Sequence, residues 1–268
     1  MVNAAGKFGP YTGWDTRAPA GRGPTGAELL RSRIALRVRL RSVSPGDRLP
    51  DAGVLAEELG ISEITVRRAL EAMCQDGLLD RRRGRAGGTF VATGWDAVVA
   101  VMHDADEAAA LDAFHLLLEC GLVAHAVGEL PGGSSGGSSG EPEDGPLHGA
   151  LHGLRDGPLD GLPDGPLDGP LDGLRALVEE MDLADDPAQL LELETRFHLD
   201  LAEALGGAGI REYAADLLGR QCLLGPAPGP ALVRARNRCH AELLDELARG
   251  AMDPAVRAVK AHRHAEPR

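Results

Sequence analysis

The stretch VLAEELGISEITVRRALEAMCQDGLL, residues 54–79, decides the fold of the first third of the chain. Val54–Leu59 has the spacing of a short amphipathic helix, and Gly60 stops it. Ile61 is apolar and buries the turn. Ser62 can accept from a backbone N–H two or three residues on, so it starts a second helix over Glu63–Asp76. Val66, Ala69, Leu70 and Met73 recur at helical spacing and give that helix one apolar face. Helix, glycine-containing turn and capped helix together predict a helix-turn-helix.

Outward from this stretch, Leu78-Leu79 leads into RRRGRAGGTFV, residues 81–91, a basic glycine-rich turn between two strand-like segments. That is a wing. Residues Thr25–Val91 hold twelve arginines against nine acids, although the 268-residue chain as a whole has a formal charge of −13. The overall acidity therefore conceals a basic module, placed at 25–95. A helix N-terminus offers free N–H groups to phosphate, and first-turn side chains reach base edges in the major groove. Wing guanidiniums meet phosphate or enter the minor groove. The partner expected for this module is double-stranded DNA.

SPGDRLP at 44–50, the 54–79 run and GGTFV at 87–91 resemble the GntR-type winged-helix regulators, over about Gly26–Val91. The resemblance implies DNA contacts from Ser62, Thr65 and Arg67 on the recognition helix and from Gly87 and Gly88 on the wing. Charge and position add Arg68 and Arg83. Two positions depart from the family pattern. Gly53 and Glu63 stand where it usually has arginine. An acid at Glu63 repels phosphate, so an unusual operator or weaker binding is expected.

The remainder reads as mainly helical. Residues 1–24 are rich in Gly, Pro and Ala without an apolar period and are expected to be a disordered tail. Trp95–His103 is taken as a connector, and Asp106–Val127, apolar and free of proline, as a buried helix. Residues 131–173 carry GGSSGGSSG and then a four-residue Gly-Pro-Leu-Asp-like period, with eight acids against Arg155. This composition predicts a disordered acidic insertion. Helices follow at about Leu174–Met181, Pro187–Leu205, Ile210–Leu223, Ala231–Arg249 and Pro254–His264. The fold class is thus mainly α: an N-terminal winged helix-turn-helix of three helices plus a small β-wing, then an all-helical bundle over 104–266. Four cysteines without CxxC spacing read as reduced thiols. With no leader-like start and no membrane segment expected, the location implied is cytoplasmic.

In the second half, Glu194 and His198 interrupt the apolar stripe Leu190, Leu191, Phe197, Leu201, Ala202 and Leu205 on one helix face. His240 and His262 sit in the stripes of two later helices. A carboxylate and three imidazoles on inward faces suit Zn²⁺, Ni²⁺ or Mn²⁺ with positions left open, but they equally suit hydrogen-bonded core histidines. This half resembles the FCD ligand-binding domain of FadR-type GntR regulators. The resemblance rests on Glu194-Thr195-Arg196-Phe197-His198, His240, and His262 22 residues later. It implies a divalent metal held by Glu194, His198, His240 and His262, and a small carboxylate effector at that metal. Glu194 replaces the usual Asp, His115 the usual Arg, and Gly207 a common Asn. Arg236, four residues before His240, and His115 are the candidates for effector binding. Neutral imidazoles are needed to coordinate, so metal should be lost below about pH 6. Three functions follow: a ligand-responsive homodimeric regulator, a DNA-binding regulator with a metal-free sensor, and a metal-dependent hydrolase.

Overall fold

The computed structural model describes residues 24–85, 87–102, 104–128 and 168–267. The expected tail up to residue 23 and the stretch 131–167 of the expected insertion lie outside them.

The N-terminal module is a winged helix. α1 (Gly26–Arg39) opens on a reciprocal cap, in which the Thr25 hydroxyl accepts from the Glu28 N–H and the Glu28 carboxylate accepts from the Thr25 N–H. α2 (Ala52–Leu59) ends at Gly60, and α3 (Glu63–Gln75) begins at Ser62, whose Oγ accepts from Thr65 N–H at 3.1 Å. β1 (Leu79–Arg82) and β2 (Gly88–Val91) pair antiparallel, with Leu79 opposite Val91 and Arg82 opposite Gly88. The core joins Leu30 and Ile34 of α1, Leu55 of α2 and Val66, Leu70 and Met73 of α3. Each of the four apolar positions assigned to the recognition helix is buried. Trp95–His103 is more than a connector. α4 (Trp95–Val101) is a helix, and Trp95 and Val99 are buried in the module's own core.

The rest is helical. α5 (Ala105–Gly128), α6 (Asp168–Leu183), α7 (Pro187–Gln221), α8 (Pro230–Ala248) and α9 (Met252–Arg263) surround one apolar core. The two helices expected at 187–205 and 210–223 are the two halves of α7, separated by a kink at Gly207, whose φ of 75° and ψ of −179° are open to glycine and costly for other residues. α5 is long and apolar enough to cross a bilayer by length and composition, contrary to the sequence expectation. In this fold its Glu119 and His115 face a polar cluster, while Leu122, Val123 and Val127 lie in the core.

The expected insertion ends earlier than residue 173. Residues 168–173 form the first turns of α6, and Leu171 and Leu174 are 0% and 1% exposed. Pro170 is tolerated because it sits in the first helical turn, where its missing N–H has no carbonyl to bond. The Gly/Pro period hid a leucine that the core needs.

The two modules interlock. α1 lies along the C-terminal half of α7. Ser32 Oγ donates to Asp216 Oδ1 at 2.5 Å, and Arg33 pairs with Glu212 at 2.6 Å. Leu36 of α1 belongs to the helical core, while Cys222 and Leu223, just beyond α7, belong to the winged-helix core. Gly219 permits this approach, because a Cβ there would collide with the Ser32 carbonyl.

Truncating Leu171 to Ala should destabilise the protein by about 2–5 kcal/mol, as for a fully buried leucine. Chemical denaturation would measure it. A change under about 0.5 kcal/mol, the surface-residue range, would return residues 168–173 to the insertion.

Candidate DNA interface and sensor centre

The N-cap Ser62 is exposed, and on α3 the exposed residues are Glu63, Ile64, Arg67, Arg68, Glu71, Ala72 and Gln75. Ser62 and the half-buried Thr65 stand at the start of the recognition helix, with Arg67 and Arg68 exposed in its second turn. Ser62 Oγ and Thr65 Oγ1 are 2.7 Å apart, so both hydroxyls are committed to the cap. Arg67 is engaged as well: its Nη2 lies 2.5 Å and its Nε 3.1 Å from Glu63 Oε1. The acid flagged in the sequence thus neutralises the arginine expected to meet DNA. Ile64 is 65% exposed on the first turn, an apolar side chain where a thymine methyl could be met. Its signal in the sequence, an apolar residue off the buried stripe, was present but was not used.

On the wing, Arg81, Arg82, Arg83 and Arg85 are exposed, and Arg82 lies over the Phe90 ring at 4.0 Å. Gly87 has a structural reason beyond any DNA contact, since a Cβ there would stand 2.6 Å from the Arg82 carbonyl oxygen. Gly88 likewise leaves room for the Arg48 side chain.

The four candidate metal-ligating residues also meet. Glu194 and His198 from α7, His240 from α8 and His262 from α9 each offer a ligand atom, all within 4.8 Å of one another. His262 Nε2 is 3.2 Å and His198 Nε2 3.7 Å from Glu194 Oε1, and His240 Nδ1 is 3.8 Å from Glu194 Oε2. Phe197 stacks on His240 with centroids 3.9 Å apart, which fixes that ring. His264, two residues from His262, is exposed and outside the cluster. The inward faces assigned from the sequence are therefore the ones the structure uses.

A residue the sequence reading passed over completes the arrangement. Glu119 on α5 is 8% exposed, and its Oε1 lies 2.6 Å from His198 Nδ1 and 3.3 Å from His115 Nε2. An acid in a long Ala/Leu-rich helix was the available signal. With Nδ1–H donated to Glu119, His198 keeps Nε2 for the cluster, the way a ligating imidazole is usually oriented.

The electrostatics follow from burial and these contacts. Burial alone would raise the Glu194 carboxyl, but the imidazoles of His240, His198 and His262 hold it well below the usual carboxylate range. Glu119 is held low in the same way by His198 and His115 against its own desolvation. Burial pushes His240 far down and His262 down. His198 differs: desolvation would lower it, but Glu119 outweighs that and it is pushed up to about 10.

Within the cluster, Glu194 Oε2 and both ring nitrogens of His240 are buried without a hydrogen-bond partner among the described residues. Buried polar groups are seldom left so, and a cation accepting their lone pairs would satisfy a ring nitrogen and the carboxylate together. The donor set, one carboxylate and three imidazoles, fits a borderline divalent ion. Beside it lies a cavity of about 420 Å³ lined by His115, Glu194, His198, Arg236 and His262 among others, within the size range of small-ligand sites. Both effector candidates therefore reach it. Arg236 stands 3.7 Å from Glu194 Oε1, and its Nε is buried without a partner.

A basic winged helix docked on a helical domain that holds a cavity beside a buried polar cluster defines a class: a helix-turn-helix protein with a second, helical domain. Residues 27–91 match the gntR family of bacterial regulatory proteins, and residues 168–265 match the FCD domain. The chain thus carries a GntR-type helix-turn-helix domain followed by an FCD domain. It is similar to an HTH-type transcriptional regulator, RmpR, of Mycobacterium gastri, 38% identical over 65 residues that cover 24% of each chain. It is also similar to the histidine utilization repressor of Pseudomonas putida, 36% identical over 114 residues covering 41% of this chain and 45% of that one. The matches thus span less than half the length of these relatives. Among solved structures, E. coli McbR/YncC aligns over 90% of this chain and 95% of its own, at 18% identity and a TM-score of 0.41. The matched families and relatives are regulators rather than enzymes.

Replacing Glu63 with Gln should release Arg67 to phosphate. DNA affinity is expected to rise, and the slope of log K against log salt to steepen by about one unit. Titrations at several salt concentrations would show it. An unchanged slope would mean that Arg67 does not face the duplex.

Proposed function

We propose that the protein is a cytoplasmic, ligand-responsive transcription regulator that binds operator DNA as a homodimer and senses a small organic acid at a divalent metal. The observation that carries the sensing part is the buried His240 ring, both nitrogens unpartnered and Nδ1 3.8 Å from Glu194, a carboxylate that lines the cavity. Glu194, His198, His240 and His262 would hold the ion. When bound, it supplies a positive centre for an acid's carboxylate. The protein's own groups do the rest. Glu119 orients His198, Phe197 fixes His240, and His115 and Arg236 line the space an acid would take.

The sensor set against a hydrolase or a metal-free regulator is favoured by two features. The cluster adjoins a DNA-reading module, and a metal-free cluster would leave His240 buried with neither nitrogen bonded.

Protonation of His198 competes with metal. Its raised value moves that competition well above the pH of about 6 expected from an ordinary imidazole. In metal-free protein the His198–Glu119 pair contributes stability fully below the ordinary imidazole range and loses it as pH rises through about 10. Metal affinity should do the reverse, strengthening about tenfold per pH unit between neutrality and pH 9 as one proton is released. Zn²⁺, Ni²⁺ or Mn²⁺ titration of chelator-treated protein would measure this. His240→Ala should abolish uptake and His264→Ala leave it intact. Equal loss in both variants, or no uptake by wild type, overturns the metal.

The dimer reading is supported by an exposed apolar stripe on α5. Ala110, Ala113, Phe114, Leu117 and Gly121 recur at helical spacing, Leu117 is 70% exposed, and Phe114 meets Tyr213 edge to face. A second copy would cover this stripe and present two recognition helices to half-sites one DNA turn apart. Leu117→Glu should yield monomers in sedimentation at micromolar concentration and weaken operator binding. A dimer of wild-type affinity places the interface elsewhere.

A further inference from the structure

The cavity beside the sensor cluster is walled by both modules. Arg39, in the last turn of α1 and so part of the DNA-binding module, lines it together with Arg236 and Arg263 of the helical domain. The three guanidiniums differ in what they already hold. Arg263 is paired with Asp112 at 2.5 Å, and Asp112 also accepts from Gln221 at 2.8 Å. That pair is satisfied. Arg236 touches only the edge of Glu194, at 3.7 Å, with Nε unpartnered. Arg39 is half-buried and has no acidic partner among the described residues.

The two under-satisfied guanidiniums come from different modules, Arg39 from α1 and Arg236 from α8. Arg236 is beside Glu194, where the four candidate ligands converge. Arg39 is near the Cys222 thiol, on which its charge acts, and Cys222 packs into the winged-helix core. The wall also carries Leu116, Leu218, Leu224 and Val259, and the carboxylates of Asp112 and Glu119 that line it are already tied to Arg263 and to His115 and His198. A cavity that presents two under-satisfied guanidiniums from two modules, with leucines among its lining, matches a dianion with its charges at the ends of a short carbon chain.

We propose that the effector is a dicarboxylate, one carboxylate held at the Arg236 and metal-ligand end and the other by Arg39, so that the DNA-binding module itself reads the ligand. This rests on the acid-sensor function above and extends it. It also supplies the route to DNA. α1 carries Leu30 and Ile34 into the core that supports α3, and it is held to α7 through Ser32 and Asp216. A ligand spanning from α7 and α8 to Arg39 has different contacts for each α1–α7 arrangement. It therefore shifts the position of the recognition helix by its differential affinity, and DNA and ligand must alter each other's binding equally.

The test uses the full chain loaded with Zn²⁺. Calorimetry compares malonate, succinate, glutarate and adipate with propionate, butyrate, valerate and hexanoate, on wild type, Arg39→Gln and Arg39→Lys. Wild type should bind at least one dicarboxylate more tightly than the monocarboxylate of equal length. Arg39→Gln should weaken that dicarboxylate by about 10- to 100-fold, the loss of one charged hydrogen-bonded contact. It should leave monocarboxylate affinity, zinc content and melting temperature unchanged, and Arg39→Lys should restore part of the preference. A preference that survives in Arg39→Gln, or monocarboxylates bound as well as dicarboxylates by wild type, overturns the dianion while leaving the acid-sensor function standing. Binding of neither class by zinc-loaded wild type removes both.

Discussion

A carboxylate buried among imidazoles is the interaction around which the helical domain is arranged. Glu194 is 6% exposed as a residue, and the cost of burying its charge is met by His198 of its own helix and by groups from α8 and α9. His198 reaches it from the same helix, His240 from α8 and His262 from α9, while Glu119 of α5 fixes His198 from behind. Removing one partner of such a group leaves an uncompensated charge, which is far more damaging than the net worth of the pair. The relative placement of α5, α7, α8 and α9 is therefore dictated by one polar point as well as by the leucines around it. The apolar residues Leu193, Phe197, Leu201 and Val259 set how closely the helices approach, and the polar cluster sets which rotation of each is acceptable.

α7 carries this point at its N-terminal half and the DNA-binding module at its C-terminal half. The contact at Ser32 and Gly219 has no side chain between the helices, and Leu36 and Cys222 cross the boundary in opposite directions. Close-packed interfaces of this kind do not deform continuously; they shift between discrete arrangements. Gly207, with its glycine-type backbone, separates the two halves of α7. The buried acid–imidazole cluster and the DNA-binding module are thus carried by two helical halves of α7 that meet at the Gly207 kink.

The DNA-facing surface shows a different economy. Arg67 is tied to Glu63, while Arg68, Arg83 and Arg85 are exposed without recorded ion pairs among the described residues. Affinity in such a face comes mainly from phosphate neutralisation and is salt-dependent, whereas Ile64 and the residues beside it would read base edges.

The sequence by itself determined the local architecture. Ser62 as a cap, the stripe Val66, Ala69, Leu70 and Met73, and the basic wing are short-range patterns, and helix and strand periods express them directly. The four residues Glu194, His198, His240 and His262 were legible for the same reason, because each interrupts an apolar stripe whose inward face the period fixes. Tertiary structure alone decided the rest. Leu171 was hidden by flanking Gly and Pro, since only packing shows that a first-turn proline is harmless. Glu119 became part of the site because α5 lies against α7, and Arg39 because α1 lies along the far end of the same helix. Periodicity states which face of a helix is buried; it carries no information on which distant helix will cover that face, and that pairing is what assembled the cavity.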